Sequence, residues 1–286
     1  MNENKIAVMT DSCSDVPQNL LEKFNIYQLS LGINYKDKSY RDRIDITPEE
    51  VYKNLEIEIP HTSLPTLGEI HELIEKIIAD GYKQIIVPVI SSGLSGTYNA
   101  IKTACDQYDN IKTAVIDTKN IALGSGFLSI YAAQLVERNL SFEEIIKKVE
   151  DKIKTSYIYY SLQTLQYLIK GGRLGRVEGA FGSLLQIKPI IACDKEGIYY
   201  TVAKVRGRKQ SINKLIEIMQ EGLKDKKNYY LAVCHGYAQD EADKIRERIQ
   251  SYVDKATIYM EGQISPALGV HTGPGLVGIG FFDLDD

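Results

Sequence analysis

The sequence predicts an α/β protein of two domains: residues 1–155 with a mostly parallel sheet and flanking helices, and residues 156–286 with an α+β arrangement. Three observations predict this fold class. The chain has 286 residues, which is enough for two domains of ordinary size. In the first half, short continuous apolar segments alternate with amphipathic ones, as in a parallel sheet. In the second half, two apolar segments are joined by a short turn, which is typical of an antiparallel hairpin.

The elements of the first half follow from their apolar patterns. Strands are expected at 5–10, 26–35, 84–90 and 112–117. Helices are expected at 16–25, 45–55 and 68–82, directly after Ser95, and in two segments after residue 117. The helix at 45–55 has the clearest start, because Thr47 can cap it, Pro48 suits the first position and Glu50 completes a capping box. A second capping box, from Ser141 to Glu144, opens the last of these helices.

The second half has a different rhythm. A helix is expected to end at the glycine pair 171–172, and the strands 188–193 and 197–205 form the predicted hairpin. Two further helix–strand units follow, so the sheet of this domain is expected to be substantially antiparallel. We expect His271 to lie in a glycine-rich loop between two strands, because Gly269 and Gly273 flank it.

Composition and charge exclude several classes of function. The net charge of −4 argues against nucleic-acid binding, and no apolar run is long enough for stable insertion into a membrane. The first residues lack the apolar core of a signal peptide, so a cytoplasmic location is expected. The cysteines are scattered without a CxxC pair, which argues against a metal site and against a disulfide framework: Cys13, Cys105, Cys193 and Cys234. No cofactor is predicted.

The segment "SSGLSGTY" (91–98) places Ser95 between a strand and a helix. The order Ser95, Asp117, His271 is that of an α/β-hydrolase, but the final glycine of a nucleophile elbow is missing. Ser95 could instead cap the helix, or donate to an oxyanion held at the helix start, where glycines let the backbone approach a ligand. The residues alone leave all three interpretations open.

Acidic and basic residues also cluster after predicted elements. Asp11 and Asp15 follow the first strand, where a turn and a helix cap are favoured over a metal or phosphotransfer site. Basic side chains lie in "KGGRLGR" (170–176) and in "KVRGRKQS" (204–211), which is expected to be a loop. Each group could complement a helix dipole or contact an anion or a partner.

Taken together, seven ordered motifs resemble those of the DegV family of fatty-acid-binding proteins, over essentially the whole chain. They are "TDSCSD" (10–15), "TSLP" (62–65), "SSGLSGTY" (91–98), "VIDT" (115–118), "KGGRLG" (170–175), "KP" (188–189) and "HTGPG" (271–275). The sequence departs from the family pattern at Leu64, where glutamine is common.

The resemblance implies a DegV-like fold with one long-chain fatty acid between two domains. It implies that Thr62, Ser95 and His271 hold the carboxylate, with Ser63, Gly96 and Arg173 in support. It further implies a bacterial protein that is not itself a catalyst. Such a protein presents the fatty acid to a separate fatty-acid kinase, which makes an acyl phosphate for phospholipid synthesis.

Arg206 matches a basic position on the surface that faces the kinase in this family. Two other classes of function remain as alternatives. A serine hydrolase would use Ser95 and His271, and a regulatory or scaffold protein would contact a partner through Arg206 and Arg208.

Overall fold

The computed structural model describes residues 2–177 and 187–285. Its strands are β1 (Ile6–Asp11), β2 (Ile26–Leu29), β3 (Gly32–Asn34), β4 (Ser39–Arg41), β5 (His61–Ser63), β6 (Gln84–Val89), β7 (Lys112–Asp117), β8 (Ser156–Ser161), β9 (Ile187–Cys193), β10 (Tyr199–Arg206), β11 (Tyr229–Gly236), β12 (Ile258–Gln263) and β13 (Leu276–Asp283). Its α-helices are α1 (Gln18–Lys23), α2 (Pro48–Asn54), α3 (Leu67–Ala79), α4 (Thr97–Cys105), α5 (Leu123–Glu137), α6 (Phe142–Lys152), α7 (Gln166–Lys170), α8 (Arg208–Gly222), α9 (Gln239–Arg248), α10 (Gln250–Val253) and α11 (Pro266–Thr272).

The first sheet has the strand order β2-β1-β6-β7, and all of its strands are parallel. This confirms the parallel arrangement that the continuous apolar segments predict. Every residue of β1 is buried, as expected for a strand covered on both faces. The carboxyl ends of β1 and β6 lie side by side, so the residues that follow them meet at one edge of the sheet.

The second sheet has the order β10-β9-β8-β13-β11-β12. Among its described strands, only β11 and β12 pair in parallel, which confirms the mostly antiparallel arrangement predicted for the second half. The predicted hairpin is β9–β10, with a register shift between Thr201 and Ala203. Strand β8 was not predicted, although it pairs with both β9 and β13 in the middle of this sheet.

A third, small sheet with the order β4-β3-β5 carries part of the "TSLP" motif. The strand-like stretch 26–35 is therefore divided between two sheets, since β2 pairs with β1 and β3 pairs with β5. Residue Ile33 of β3 lies opposite Thr62 of β5. This pairing fixes which side chains of β5 point inward.

Helix α5 is buried around most of its circumference because it packs against strands of both large sheets. The ring of Phe127 lies 6.1 Å from that of Tyr230 and 6.1 Å from that of Phe282, measured between centroids. The division into domains at residue 155 stays a prediction. Among the described helices, none has both the length and the apolar character to cross a membrane.

Both predicted capping boxes are confirmed, at Thr47–Glu50 and at Ser141–Glu144. Two predictions of loops were wrong. His271 lies in the last turn of α11, because Ser265 caps this helix and Pro266 occupies its first position. The second basic segment is not a loop either, since β10 runs to Arg206 and α8 begins at Arg208, with only Gly207 between them.

Candidate ligand-binding site

A narrow, mostly apolar cavity lies between the described elements of the two halves of the chain. The cavity is small, since its space between protein atoms is about 440 Å³ and this figure includes the open mouth. Four polar side chains at the cavity come from distant parts of the sequence: Thr62, Ser95, Arg173 and His271. The other lining residues are largely apolar: Cys13, Leu31, Ile90, Leu94, Ile121, Tyr199, Ala267, Leu268 and Thr272.

Thr62 and His271 form a hydrogen-bonded pair at this cavity. Thr62 Oγ1 lies 2.7 Å from His271 Nε2, although 209 residues separate them in the sequence. Thr62 is on β5, where successive side chains point to opposite faces. Ser63 accordingly faces away, and its Oγ accepts a hydrogen bond of 2.9 Å from Asn34 Nδ2. The structure therefore brings Thr62 to the cavity and leaves Ser63 behind it.

The imidazole of His271 is held neutral. Burial, together with the nearby Arg173 and His61, lowers the pKa of His271 to about 4. Its Nδ1 atom is buried and has no hydrogen-bond partner among residues 2–177 and 187–285. A Cβ atom placed at Gly171 would stand only 2.1 Å from this Nδ1, so the ring can occupy its position only beside a glycine.

The Thr62–His271 pair has one hydrogen atom in its contact and one left over. If Nε2–H donates to Thr62 Oγ1, the threonine hydroxyl is free to donate into the cavity. If the hydroxyl donates to Nε2 instead, the free donor is Nδ1–H. Since Nδ1 is buried beside Gly171, only the first arrangement leaves a neutral donor for a ligand oxygen in the cavity, namely the Thr62 hydroxyl.

Ser95 lies in the loop between β6 and α4. Its Oγ accepts a hydrogen bond of 3.3 Å from the Thr97 backbone N–H and lies 2.9 Å from Thr97 Oγ1. The residue at the N-cap position is Gly96, so the prediction that Ser95 caps the helix is off by one residue. Ser91 holds the loop in place by donating to the Gly197 carbonyl, at 2.8 Å, in the turn of the β9–β10 hairpin.

Gly96 and Leu64 are neighbours at the rim of the site. A Cβ atom at Gly96 would lie 3.2 Å from Leu64 Cδ1, which is closer than an ordinary contact. Leu64 is 42% exposed and does not line the cavity among the residues that are described. The departure from the family pattern therefore lies on the outer side of the "SSGLSGTY" segment.

Arg173 brings a positive charge to the cavity. Its guanidinium donates to the Gly171 carbonyl at 2.6 Å and to the Leu94 carbonyl at 3.5 Å. Within the described part of the chain it pairs with no carboxylate. The side chain is therefore fixed by backbone carbonyls and keeps its charge available for an anion.

The geometry does not form a hydrolase triad in the described residues. Ser95 Oγ bonds with Thr97 rather than with His271, and His271 Nε2 bonds with Thr62. Asp117 pairs with Lys119 at 2.6 Å instead of orienting the histidine. No group of acidic, histidine and cysteine side chains in the described ranges could hold a metal ion.

Most residues of the cavity wall were not predicted from the sequence. Cys13 lies inside the "TDSCSD" motif, and Tyr199 begins β10, yet neither was singled out. Arg206, at the end of β10, is exposed and is not among the described residues that line the cavity.

Comparison with known proteins places the chain in one family. A family model described as "Uncharacterised protein, DegV family" matches residues 5–284. A DegV domain-containing protein of Clostridium acetobutylicum is 45% identical over 278 residues, which is 97% of this chain and 99% of the relative.

Two solved structures are also similar over nearly the full length. DegV of Bacillus subtilis, described as a fatty acid binding protein, is 31% identical with a TM-score of 0.89, and the match covers 99% of each chain. A protein of Eubacterium ventriosum described as binding stearic acid is 25% identical with a TM-score of 0.87, over 97% of this chain and 98% of that one. The predicted resemblance is thus confirmed, and this chain belongs to the DegV family.

Proposed function

We propose that this protein binds one long-chain fatty acid in the cavity, with the carboxylate at Thr62, Ser95 and His271 and the tail against the apolar wall. The observation that carries this proposal is the apolar cavity at which these three side chains and Arg173 meet. A carboxylate that leaves water needs such donors, since burial without a partner is costly. The fatty acids bound by the B. subtilis and E. ventriosum relatives support the same ligand class.

The tail and the head group of the ligand would contribute differently. Burial of about ten methylene groups is worth ~8 kcal/mol before the costs of association. A hydrogen bond to the head group adds only ~1 kcal/mol net. The apolar wall would therefore set the affinity, while Thr62, Ser95 and His271 set the orientation. Gly96 supports this arrangement by letting the loop approach closely, and Ser63 supports it through the Asn34 contact that fixes β5.

The protein would present the bound acid to a separate fatty-acid kinase. A groove on the surface shares three lining residues with the cavity, namely Thr62, Arg173 and His271. Lys170 and His61 line the groove as well. A carboxylate at these residues could be reached from that groove. One of its oxygen atoms would attack the γ-phosphorus of ATP on the kinase, releasing ADP and leaving the acyl phosphate.

In this proposal the chain itself is not a catalyst. Neutral donors, as Thr62, Ser95 and His271 are, leave most of the negative charge on the carboxylate and so keep it nucleophilic. Arg206, which is exposed at the end of β10, would contact the kinase. Because the reaction consumes ATP, the proposal places the protein in the cytoplasm.

Native mass spectrometry of the purified protein, followed by denaturation and lipid analysis, tests the binding function. We expect one non-covalent fatty acid per chain, released on unfolding. A protein mass without ligand that does not shift when stearate is added would refute the proposal. A covalent acyl adduct on Ser95 would support a hydrolase instead.

A further inference from the structure

Three buried carboxylates, Asp11, Asp15 and Asp42, lie beside the cavity. Their residues are 0%, 5% and 0% exposed, and only one cation, Arg43, pairs with them in the described structure, through a contact of 2.6 Å to Asp15. Burial raises the pKa of Asp11 to about 7 and that of Asp15 to about 6. Such a cluster costs stability compared with apolar packing, so its contacts call for an explanation.

Each carboxylate accepts a hydrogen bond from the backbone of a segment that carries a residue of the site. Asp11 Oδ2 accepts from Ile90 N–H at 2.7 Å, and Ile90 directly precedes the loop of Ser95. Asp15 Oδ1 accepts from Ser265 N–H at 2.9 Å, and Asp42 Oδ1 accepts from Ala267 N–H at 3.0 Å.

The last two contacts hold the start of α11, the helix that carries His271 in its final turn. This helix has seven residues, which is too short to be stable without support from its surroundings. Carboxylates near a helix start are favourable because they meet free N–H groups and the positive end of the dipole. Asp15 and Arg43 also adopt left-handed backbone conformations, with φ of 54° and 62°, and strain of this kind persists only where the surroundings impose it.

We propose that Asp11, Asp15 and Asp42 are positioning residues for the head-group site. Asp11 fixes the Ser95 loop, while Asp15 and Asp42 fix the helix of His271. The cluster therefore sets the position of Ser95 relative to His271. This inference rests on the proposed function, because it concerns the same carboxylate site. It also gives the acidic residues of "TDSCSD" a role that turn formation alone does not.

The test uses Asp42, because its replacement leaves the Asp15–Arg43 pair in place. Asp42→Ala removes the acceptor for Ala267 N–H, whereas Asp42→Asn keeps an oxygen of the same reach. Wild type and one variant share a limiting amount of stearate at equal concentrations, and native mass spectrometry measures how much of each is loaded. The ratio of loaded forms gives the relative dissociation constant without stripping lipid from the protein.

The decisive comparison is a double-mutant cycle with His271→Ala. Loss of one head-group hydrogen bond is worth about fivefold in affinity, so His271→Ala should weaken stearate binding by about that factor. Asp42→Ala should weaken stearate binding by no more than about fivefold. In the His271→Ala background it should cause almost no further loss of affinity. Asp42→Asn should restore binding. The positioning role would be refuted if the affinity losses of Asp42→Ala and His271→Ala multiply in the double variant. It would also be refuted if Asp42→Asn fails to restore stearate binding.

Ile245→Ala is the matched control. Ile245 is fully buried in the packing of α9 against the second sheet, so its truncation destabilises the protein without touching the site. Stearate affinity should be unchanged, and an equal loss of affinity in this variant would show that instability alone explains Asp42→Ala. The ¹⁵N shifts of His271 give a second readout, which should move in Asp42→Ala and not in Ile245→Ala. If wild type takes up no stearate at all, the proposed function fails as well.

Discussion

The close approach of Gly171 to His271 makes a specific prediction about the site. Gly171 has φ of −79° and ψ of −6°, which any residue can adopt, so Gly171→Ala introduces no backbone strain. The new methyl group would stand 2.1 Å from His271 Nδ1, whereas ordinary contacts begin at 3.4 Å. The ring must therefore move by about 1.3 Å. Because Thr62 contacts the other side of the ring, a shift of this size cannot preserve the 2.7 Å hydrogen bond between His271 Nε2 and Thr62 Oγ1.

Two quantities should change in Gly171→Ala. Overpacking costs ~1–3 kcal/mol of unfolding free energy, and loss of the Thr62–His271 geometry weakens stearate binding by about fivefold. Urea unfolding measures the first quantity, and competition for limiting stearate against wild type, read by native mass spectrometry, measures the second.

The adjacent glycine provides the control. Gly172 has φ of 68°, and a Cβ atom there would meet no described atom within 4 Å. Gly172→Ala should therefore lose about 1–2 kcal/mol of stability through its left-handed backbone while keeping its affinity for stearate. In a His271→Ala background, Gly171→Ala should cost no further affinity. Equal affinity losses in the two glycine variants, or an undiminished loss without His271, would refute the steric argument.

Three further predictions concern single residues of the site. Ser95→Ala should fold and retain most of its fatty acid, because one head-group hydrogen bond is worth only ~1 kcal/mol, yet support less acyl-phosphate formation with the kinase; full activity would contradict its proposed role. His271 has a pKa of about 4 when folded and 6.5 in its ordinary state, so the unfolded chain binds more protons between these values. The contribution of His271 to stability should therefore fall as pH drops from 6.5 to 4, while the raised pKa values of Asp11 and Asp15 act in the opposite direction in both proteins. His271→Asn should accordingly gain stability relative to wild type over this range, as measured by urea unfolding. Leu64→Gln should change stearate affinity by less than about twofold, because a partly exposed side chain outside the cavity wall contributes little to tail burial; a larger change in the same competition would show that Leu64 reaches the ligand.

Much of the fold could be predicted because its signals are local. Continuous apolar segments marked β1, β6 and β7, and side-chain caps marked the starts of α2 and α6. The sequence of strand β8, SYIYYS, suits a strand because tyrosine and isoleucine favour one, but it escaped because it leads directly into a helical segment. Its central place in the sheet depends on pairing with β13, which lies more than a hundred residues later.

The error at His271 has a physical explanation. Glycines punctuate loops, and Gly269 and Gly273 flank the histidine, so the loop interpretation followed the strongest local signal. A competing signal was present, because Ser265 and Pro266 form an N-cap followed by a proline at the first helical position. Gly269 lies inside the helix and does not end it. Its lack of a side chain lets the Tyr52 ring approach α11, and the Tyr52 hydroxyl lies 3.0 Å from where a Cβ of Gly269 would be. The glycine serves packing here.

The site itself could be predicted only through the family resemblance, because its residues meet by tertiary packing. No local pattern shows that Thr62 will contact His271, or that Arg173 will join them. The cavity wall is less predictable still, since Leu31, Ile121 and Tyr199 look like ordinary core residues.

The short helix α11 connects the predictions made above. Its start is held by Asp15 and Asp42, and its end is confined by Gly171 on one side and by the hydrogen bond to Thr62 on the other. A seven-residue helix held at both ends should behave as one rigid unit, so a disturbance at either end reaches the same imidazole. Asp42→Ala and Gly171→Ala act on opposite ends, and their effects on stearate affinity should therefore not multiply. If they do multiply, the two ends of α11 are independent, and His271 is placed by its contacts near Gly171 alone.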